Sequence, residues 1–218
     1  MMKTPNLKKK VSVLYSPGTN CEEETMAAFN LAGGYATLLF LFDLLSGKKK
    51  ITDCDLFCIP GGFSWGDYIK EGIITATMIA EFFQQLIEAR IPVLLICNGY
   101  QIGARAKVFG SKMTLTRNLS NHFCSLPVQH LVQRSNCLWT NGLENKILSF
   151  PAAHGGGRVF CKETPNIVMT YAYKSPNGGM IAGTCSNDGL IFGLMDHPER
   201  PYGNEDGQKI FRNGIMAV

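Results

Sequence analysis

Four short apolar runs constrain the fold of this chain more than any other feature. Residues 11–15, 37–42, 55–59 and 92–96 are each of strand length, and helical sequence lies between them. Continuous apolar strands that alternate with helices imply a mostly parallel sheet covered on both faces. Residues 21–31 are predicted as a helix, with Glu22, Glu23 and Glu24 in the first turn, where the helix dipole favours acids, and Gly33-Gly34 at its end. Residues 73–89 form a long amphipathic helix pattern, and 98–107 a short one. The second half is strand-rich, at 113–116, 123–132, 146–150, 167–173, 180–184 and 190–195, before a closing helix at 205–213. Several of these strands are expected to pair antiparallel through turns such as Pro176-Asn177-Gly178-Gly179. With no internal repeat or linker in 218 residues, the expectation is one domain spanning residues 1–218.

Composition narrows the classes. Apolar residues make up 45% and charged residues 17%, which excludes a disordered chain. The longest greasy stretch, 36–45, is interrupted by Asp43 and falls far short of the ~20 residues a membrane span needs. Residues 1–10 lack the apolar core of a signal peptide. A soluble, cytoplasmic protein is expected, with no membrane partner. The net charge of +4 is mild, and the lysine clusters at 8–10 and 48–50 lack interleaved aromatics, so no nucleic-acid partner is expected either. Eight cysteines form no CxxC pair. Cys54 and Cys58 fall in a strand pattern, where a free thiol acts as a small hydrophobe. Cys124 with His122 is a weak candidate for zinc, and no metal site is assigned.

Ligands of open α/β sheets bind outside the carboxyl ends of the strands, which directs attention to the residues after Ile59 and Ile96. Cys97 follows a buried strand and opens a helix, in Leu94-Leu95-Ile96-Cys97-Asn98-Gly99-Tyr100-Gln101. That is the layout of a nucleophile elbow: the junction exposes the thiol, the helix N-terminus stabilises a thiolate, and the Asn98 N–H points at an oxyanion. A structural cysteine is the competing reading. A thiol nucleophile wants a base and the base an orienter. His197 stands just past an apolar strand that could end beside Cys97, and Glu199 could hold its far nitrogen, with Asp196 as a rival. A second pattern competes: Gly62-Phe63-Ser64-Trp65-Gly66 matches G-x-S-x-G, and His154-Gly155-Gly156-Gly157 resembles an esterase oxyanion loop. Here, however, that loop follows the serine, and Pro60-Gly61-Gly62 separates Ser64 from its strand. Neither a Walker loop nor a dinucleotide fingerprint is present.

Pro60-Gly61-Gly62-Phe63-Ser64-Trp65-Gly66-Asp67-Tyr68, Ile96-Cys97-Asn98-Gly99-Tyr100-Gln101, Ala153-His154-Gly155-Gly156-Gly157-Arg158 and His197-Pro198-Glu199-Arg200 occur in that order. Together they resemble the class I glutamine amidotransferases. More narrowly they resemble the glutaminase subunits of phosphoribosylformylglycinamidine synthase, from purine biosynthesis. Pro17-Gly18-Thr19-Asn20-Cys21 and Gly203-Asn204-Glu205-Asp206-Gly207 extend the likeness over essentially the whole chain. The resemblance implies a flavodoxin-like three-layer α/β sandwich, its sheet mostly parallel with extra antiparallel strands in the C-terminal half. It also implies a glutaminase with Cys97 as nucleophile, His197 as proton shuttle and Glu199 as orienter. Backbone groups of Gly61, Gly62 and Asn98, together with Gln101, would contact the substrate. Ammonia would pass to a synthetase subunit, alongside a small accessory subunit. No cofactor is expected on this chain, with ATP and magnesium on the synthetase. His154 and Arg158 would lie near the active-site mouth.

Three departures from the family pattern qualify this. Leu95 replaces the usual elbow glycine and could crowd the turn and shift Asn98. Gly156 replaces an acid, and Asp196 replaces a proline and could perturb His197. The alternatives are a catalytically weak amidotransferase-like module that binds the partner, and an elbow-cysteine hydrolase not specific for glutamine.

Overall fold

The first apolar runs pair side by side as parallel strands. The computed structural model describes residues 8–64, 72–201 and 203–218. In chain order the first half comprises β1 (Lys10–Tyr15), α1 (Glu22–Leu31), β2 (Tyr35–Phe40), α2 (Leu41–Leu45), β3 (Leu56–Ile59), α3 (Gly72–Glu88), β4 (Val93–Ile96) and α4 (Asn98–Arg105). The second half comprises β5 (Met113–Thr116), β6 (Cys124–Val132), β7 (Ile147–His154), β8 (Arg158–Cys161), β9 (Asn166–Tyr171), β10 (Ile181–Cys185), β11 (Ile191–Leu194) and α5 (Glu205–Met216).

Among the described residues the main sheet has nine strands in the order β2-β1-β3-β4-β11-β10-β9-β6-β7. The first five are mutually parallel. This is the flavodoxin-type order, closed by β11 instead of a strand from the first half. From β10 outward the pairing is antiparallel. β5 and β8 form a separate antiparallel pair. Every residue of β3, β4 and β11 is buried, as a strand covered on both faces requires. α1 packs on α5, and α3 on α4. No helix among the described residues is long and apolar enough to cross a membrane.

Several expected boundaries move, each for a local reason. The strand expected at 37–42 starts at Tyr35 and stops at Phe40, and Leu41–Leu45 turns helical. The run Leu-Leu-Phe-Leu-Phe is apolar throughout and hides the change of period. Only Leu41 and Leu44, three apart, are buried in that turn. The strand expected at 146–150 continues to His154 through Pro151, which is tolerated because β7 is the edge strand. β8 and the short 3₁₀ turn Leu138–Thr140 were not expected, and α5 runs three residues past Asn213. Cys54 lies in a bend before β3, not in the strand. The histidine within reach of Cys124 is His154, whose Nδ1 lies 3.7 Å from the sulfur, and no group of three possible ligands among the described residues includes Cys124.

A buried charge cluster ties the antiparallel extension to the parallel half. Asp196, just after β11, is fully buried. Its Oδ2 accepts from His130 Nε2 on β6 at 2.7 Å, and its Oδ1 from His154 Nε2 at the end of β7 at 3.1 Å. His130 also stacks on Phe150, with ring centroids 3.9 Å apart. Burial alone would raise the Asp196 carboxyl, but hydrogen bonds and charge from the two histidines outweigh it and hold the group at about 2. Burial would lower the His154 imidazolium, but Asp196, then Cys124, push it up to about 10.

A carboxyl held below its ordinary 3.8 stabilises the fold above that pH and loses the contribution as pH falls towards 2. An imidazole raised from 6.5 stabilises below 6.5 and loses its contribution as pH rises through about 10. Urea unfolding should therefore show a plateau between about pH 4 and 6.5 and a decline on either side. Asp196→Asn should cost about 3–5 kcal/mol near pH 6 and flatten the alkaline decline. An alkaline slope unchanged in that variant would show that the cluster does not carry it.

Candidate active site

The segment after β4 turns sharply into α4. Cys97 sits at this junction with φ 50° and ψ −105°, a backbone region that L-residues seldom adopt outside functional sites. The turn is pinned on both sides: Cys97 N–H donates to Leu194 O on β11 at 2.9 Å, and Gln101 N–H to Cys97 O at 3.1 Å. α4 starts tight against the end of β3. A Cβ at Gly99 would stand 2.1 Å from Ile59 O, so only glycine allows this approach. Leu95 is fully buried, and its Cδ1 fills the space left open by Gly103, where a Cβ would come within 2.3 Å. The elbow bend is present with leucine at this position, and the expected crowding is relieved by the glycine two turns along.

His197 is brought beside Cys97 by strand pairing. β11 runs parallel to β4 with Leu194 opposite Ile96, so both chains leave the sheet at the same edge. His197 N–H then donates to Pro151 O on β7 at 2.9 Å, which fixes its backbone. Its Nδ1 donates to Glu199 Oε1 at 2.7 Å, with both side chains 2% exposed or less. Asp196 is not the orienter, because both its oxygens are engaged by His130 and His154. Burial would lower the His197 imidazolium. The Glu199 carboxylate, followed by the Cys97 and Cys21 thiols, outweighs burial and holds it well above the usual histidine value.

Gly61 is the spacer. A Cβ there would stand 2.8 Å from His197 Cε1 and 3.4 Å from Cys97 Cβ, so a side chain at 61 would drive the ring from the thiol. His197 Nε2 and Glu199 Oε2 are buried and have no hydrogen-bond partner among the described residues. Cys21, which sequence reasoning did not single out, is buried against the same ring; its sulfur accepts from Arg200 Nη2 at 3.1 Å. Its only sequence signal was the Pro17–Cys21 stretch. The donor atoms of Cys21, His197 and Glu199 lie within 4.8 Å of one another, the group among the described residues that could hold a metal ion.

A cavity of about 300 Å³ opens at Cys97. Gly62, Asn98, Gln101, Phe123, His154 and Gly156 are among the residues that line it. A chain of side-chain amides links the walls. Asn98 Oδ1 accepts from Ser64 N–H at 3.3 Å, Asn98 Nδ2 donates to Gln101 Oε1 at 3.0 Å, and Gln101 Nε2 donates to Gly156 O at 2.9 Å. Gly156, where the family pattern has an acid, thus offers its carbonyl. The serine pattern does not form a site: the buried Ser64 hydroxyl pairs with Ser16 Oγ at 3.1 Å, and His154 is committed to Asp196. Trp65, Gly66, Asp67 and Tyr68 lie outside the described residues. Arg158 Nε donates to Thr116 Oγ1 at 3.4 Å.

Comparison with known proteins agrees with this architecture. Residues 8–213 match the CobB/CobQ-like glutamine amidotransferase domain. The phosphoribosylformylglycinamidine synthase subunit PurQ of Trichormus variabilis is 33% identical, with 96% of this chain and 98% of the relative covered. The protein of the same name from Thermotoga maritima is 34% identical, covering 95% and 97%. The chain superposes on a chain of PurLQS from Thermotoga maritima with a TM-score of 0.87 at 32% identity, covering 97% and 99%. A glutamine amidotransferase from Thermotoga maritima, 18% identical with a TM-score of 0.61 over 88% and 76%, shares the fold. With a family match over nearly its whole length and relatives this similar end to end, the chain belongs to the CobB/CobQ-like glutamine amidotransferases, in the branch of the phosphoribosylformylglycinamidine synthase subunit PurQ.

Proposed function

We propose that this chain is the glutaminase subunit of a phosphoribosylformylglycinamidine synthase, acting in the cytoplasm on glutamine and delivering ammonia to a synthetase subunit. The observation that carries the reading is the strained Cys97 elbow beside a buried His197–Glu199 pair, at the mouth of a cavity. The Cys97 thiolate attacks the side-chain amide carbon of glutamine. The tetrahedral oxygen is held by N–H groups at the start of α4, which have no partners within the helix, and by the Gly61–Gly62 backbone. One such donor is worth about 2.7–4 kcal/mol of barrier. His197 gives a proton to the departing nitrogen, ammonia leaves, and a thioester remains. His197 then takes a proton from water, which attacks the thioester, and glutamate departs with Cys97 restored.

Glu199 holds the imidazole with Nε2 free for these transfers. Asn98 and Gln101 form the wall against which glutamine lies. After its two protein bonds, the Gln101 amide still has one acceptor and one donor site for the substrate. ATP and magnesium belong in this reading to the synthetase subunit, which would assemble with this chain and a small accessory subunit. The alternative of a catalytically weak, partner-binding module draws mainly on Leu95; the room that Gly103 leaves for that side chain favours the active reading instead.

The glutamine-shaped electrophile 6-diazo-5-oxonorleucine should form one adduct, on Cys97, and excess glutamine should block it. Adducts scattered over other cysteines, or none even with the synthetase added, would sink the reading. Glu199→Ala should lower glutamine turnover by about 10²–10⁴-fold, and full turnover in that variant would remove Glu199 from the mechanism. Leu95→Ala should destabilise the fold by about 2–5 kcal/mol without raising turnover per folded molecule. A gain in turnover would instead show that Leu95 restrains the elbow.

A further inference from the structure

A second thiol stands beside an imidazole that is itself held by a carboxylate. Cys124 opens β6 directly opposite His154, the last residue of β7, so their side chains share one face of the pair. The Cys124 sulfur lies 3.7 Å from His154 Nδ1 and 4.0 Å from Nε2. His154 Nε2 in turn meets Asp196 Oδ1 at 3.1 Å. Nucleophile, imidazole and orienting carboxylate thus recur, independently of Cys97, His197 and Glu199.

The surrounding hydrogen bonds define the charge on the ring. Asn118 Nδ2 donates to the carbonyls of His122 and His154 at 3.0 and 2.9 Å, so its Oδ1 is an acceptor. That oxygen faces His154 Nδ1 at 3.2 Å, while the Asp196 carboxylate faces Nε2. With both nitrogens opposite acceptors, both carry protons and the ring is a cation. A Cys124 thiolate would be received by this cation and by Asn118 Nδ2, 3.6 Å away. In the thiol form the proton faces His154 O at 3.2 Å. Burial and the more distant Asp196 charge oppose ionisation, but hydrogen bonding and charge from His154 outweigh them and hold the Cys124 thiol below its ordinary value.

Cys124 is half-buried, as are Cys54 and Cys161. Cys54 has the opposite surroundings: burial, with Asp55 and Asp53 beside it, pushes its thiol up. Phe123, the neighbour of Cys124, and His154 both line the cavity at Cys97.

We propose that Cys124 is a reactive thiol, activated by His154 and Asp196, that takes up a reversible mixed disulfide from low-molecular-weight disulfides and so obstructs the cavity at Cys97. The Cys124 thiolate attacks one sulfur of the small disulfide. A new S–S bond forms, the original S–S bond breaks, and the leaving thiolate takes a proton from solvent. A reducing thiol reverses the exchange. The reactivity stands on the Cys124 geometry alone, whereas the effect on glutamine turnover rests on the function proposed above.

The test uses the purified chain and its complex with the synthetase. Peptide mass spectrometry would follow iodoacetamide labelling of each cysteine across pH, with Cys97 blocked by 6-diazo-5-oxonorleucine. At pH 7 Cys124 should label about tenfold faster than Cys54 and Cys161, with a midpoint below the ~8.5 of a free thiol. Asp196→Asn should slow Cys124 labelling, and the wild-type pH profile answers the same question without a variant. In a second arm with Cys97 left unblocked, oxidised glutathione should add to Cys124 and lower both 6-diazo-5-oxonorleucine labelling of Cys97 and glutamine turnover, with recovery on reduction; Cys124→Ser should resist the treatment. If Cys124 labels no faster than Cys54 and Cys161, the activation is overturned. If the adduct forms and leaves Cys97 labelling unchanged, obstruction of the cavity is overturned. A failure of the untreated protein to label at Cys97 bears on the proposed glutaminase function and leaves the Cys124 rates to be judged separately.

Discussion

The pairing of β11 with β4 is the interaction on which the site depends. The two strands lie far apart in the chain, yet run parallel with Leu194 opposite Ile96. Parallel strands end at the same edge of a sheet, so the chain after Ile96 and the chain after Leu194 emerge side by side there. The Cys97 N–H is bonded to Leu194 O across that seam. A one-residue slip would exchange the faces of every side chain in β11. Total burial of both strands opposes any slip, since each residue is already matched to a covered face.

Two consecutive residues past β11 serve two separate charge networks. Asp196 joins His130 and His154, while His197 joins Glu199. Every imidazole thereby meets a carboxylate oxygen, His130 and His154 sharing Asp196 and His197 holding Glu199 alone, in a region shielded from water where an unpaired charge would be costly. Asp196 also links β6 and β7 to the end of the parallel sheet. The Pro151 carbonyl on β7 holds the His197 backbone. The antiparallel extension is therefore the support that sets the height of the histidine over the thiol.

Much of this was legible in residue order. Val93–Ile96 reads as a buried strand because nothing polar interrupts it, and Cys97 follows as the first residue able to carry chemistry. His197 and Glu199 could be singled out by their spacing at the end of an apolar run. Other features left no local trace. Leu41–Leu45 is as apolar as the strand before it, so the switch to helix is decided by which side chains find cover. β8 exists because β5 lies alongside to pair with it. Gly103 shows its purpose only once Leu95 is seen against it, and Cys124 gains its histidine through the register of β6 on β7.

The sequence alone determined the alternation of strand and helix, the strand-to-helix elbow at Cys97, and the identity of the groups able to act there. These follow from short-range effects: apolar period, turn residues and the chemistry of individual side chains. Tertiary structure decided which carboxylate serves which histidine. Asp196 and Glu199 flank His197 almost symmetrically in sequence, and only the packing of β6 and β7 draws Asp196 to His130 and His154 and leaves His197 to Glu199. That choice turns on distances of a few ångströms between segments far apart in the chain, which no local pattern encodes.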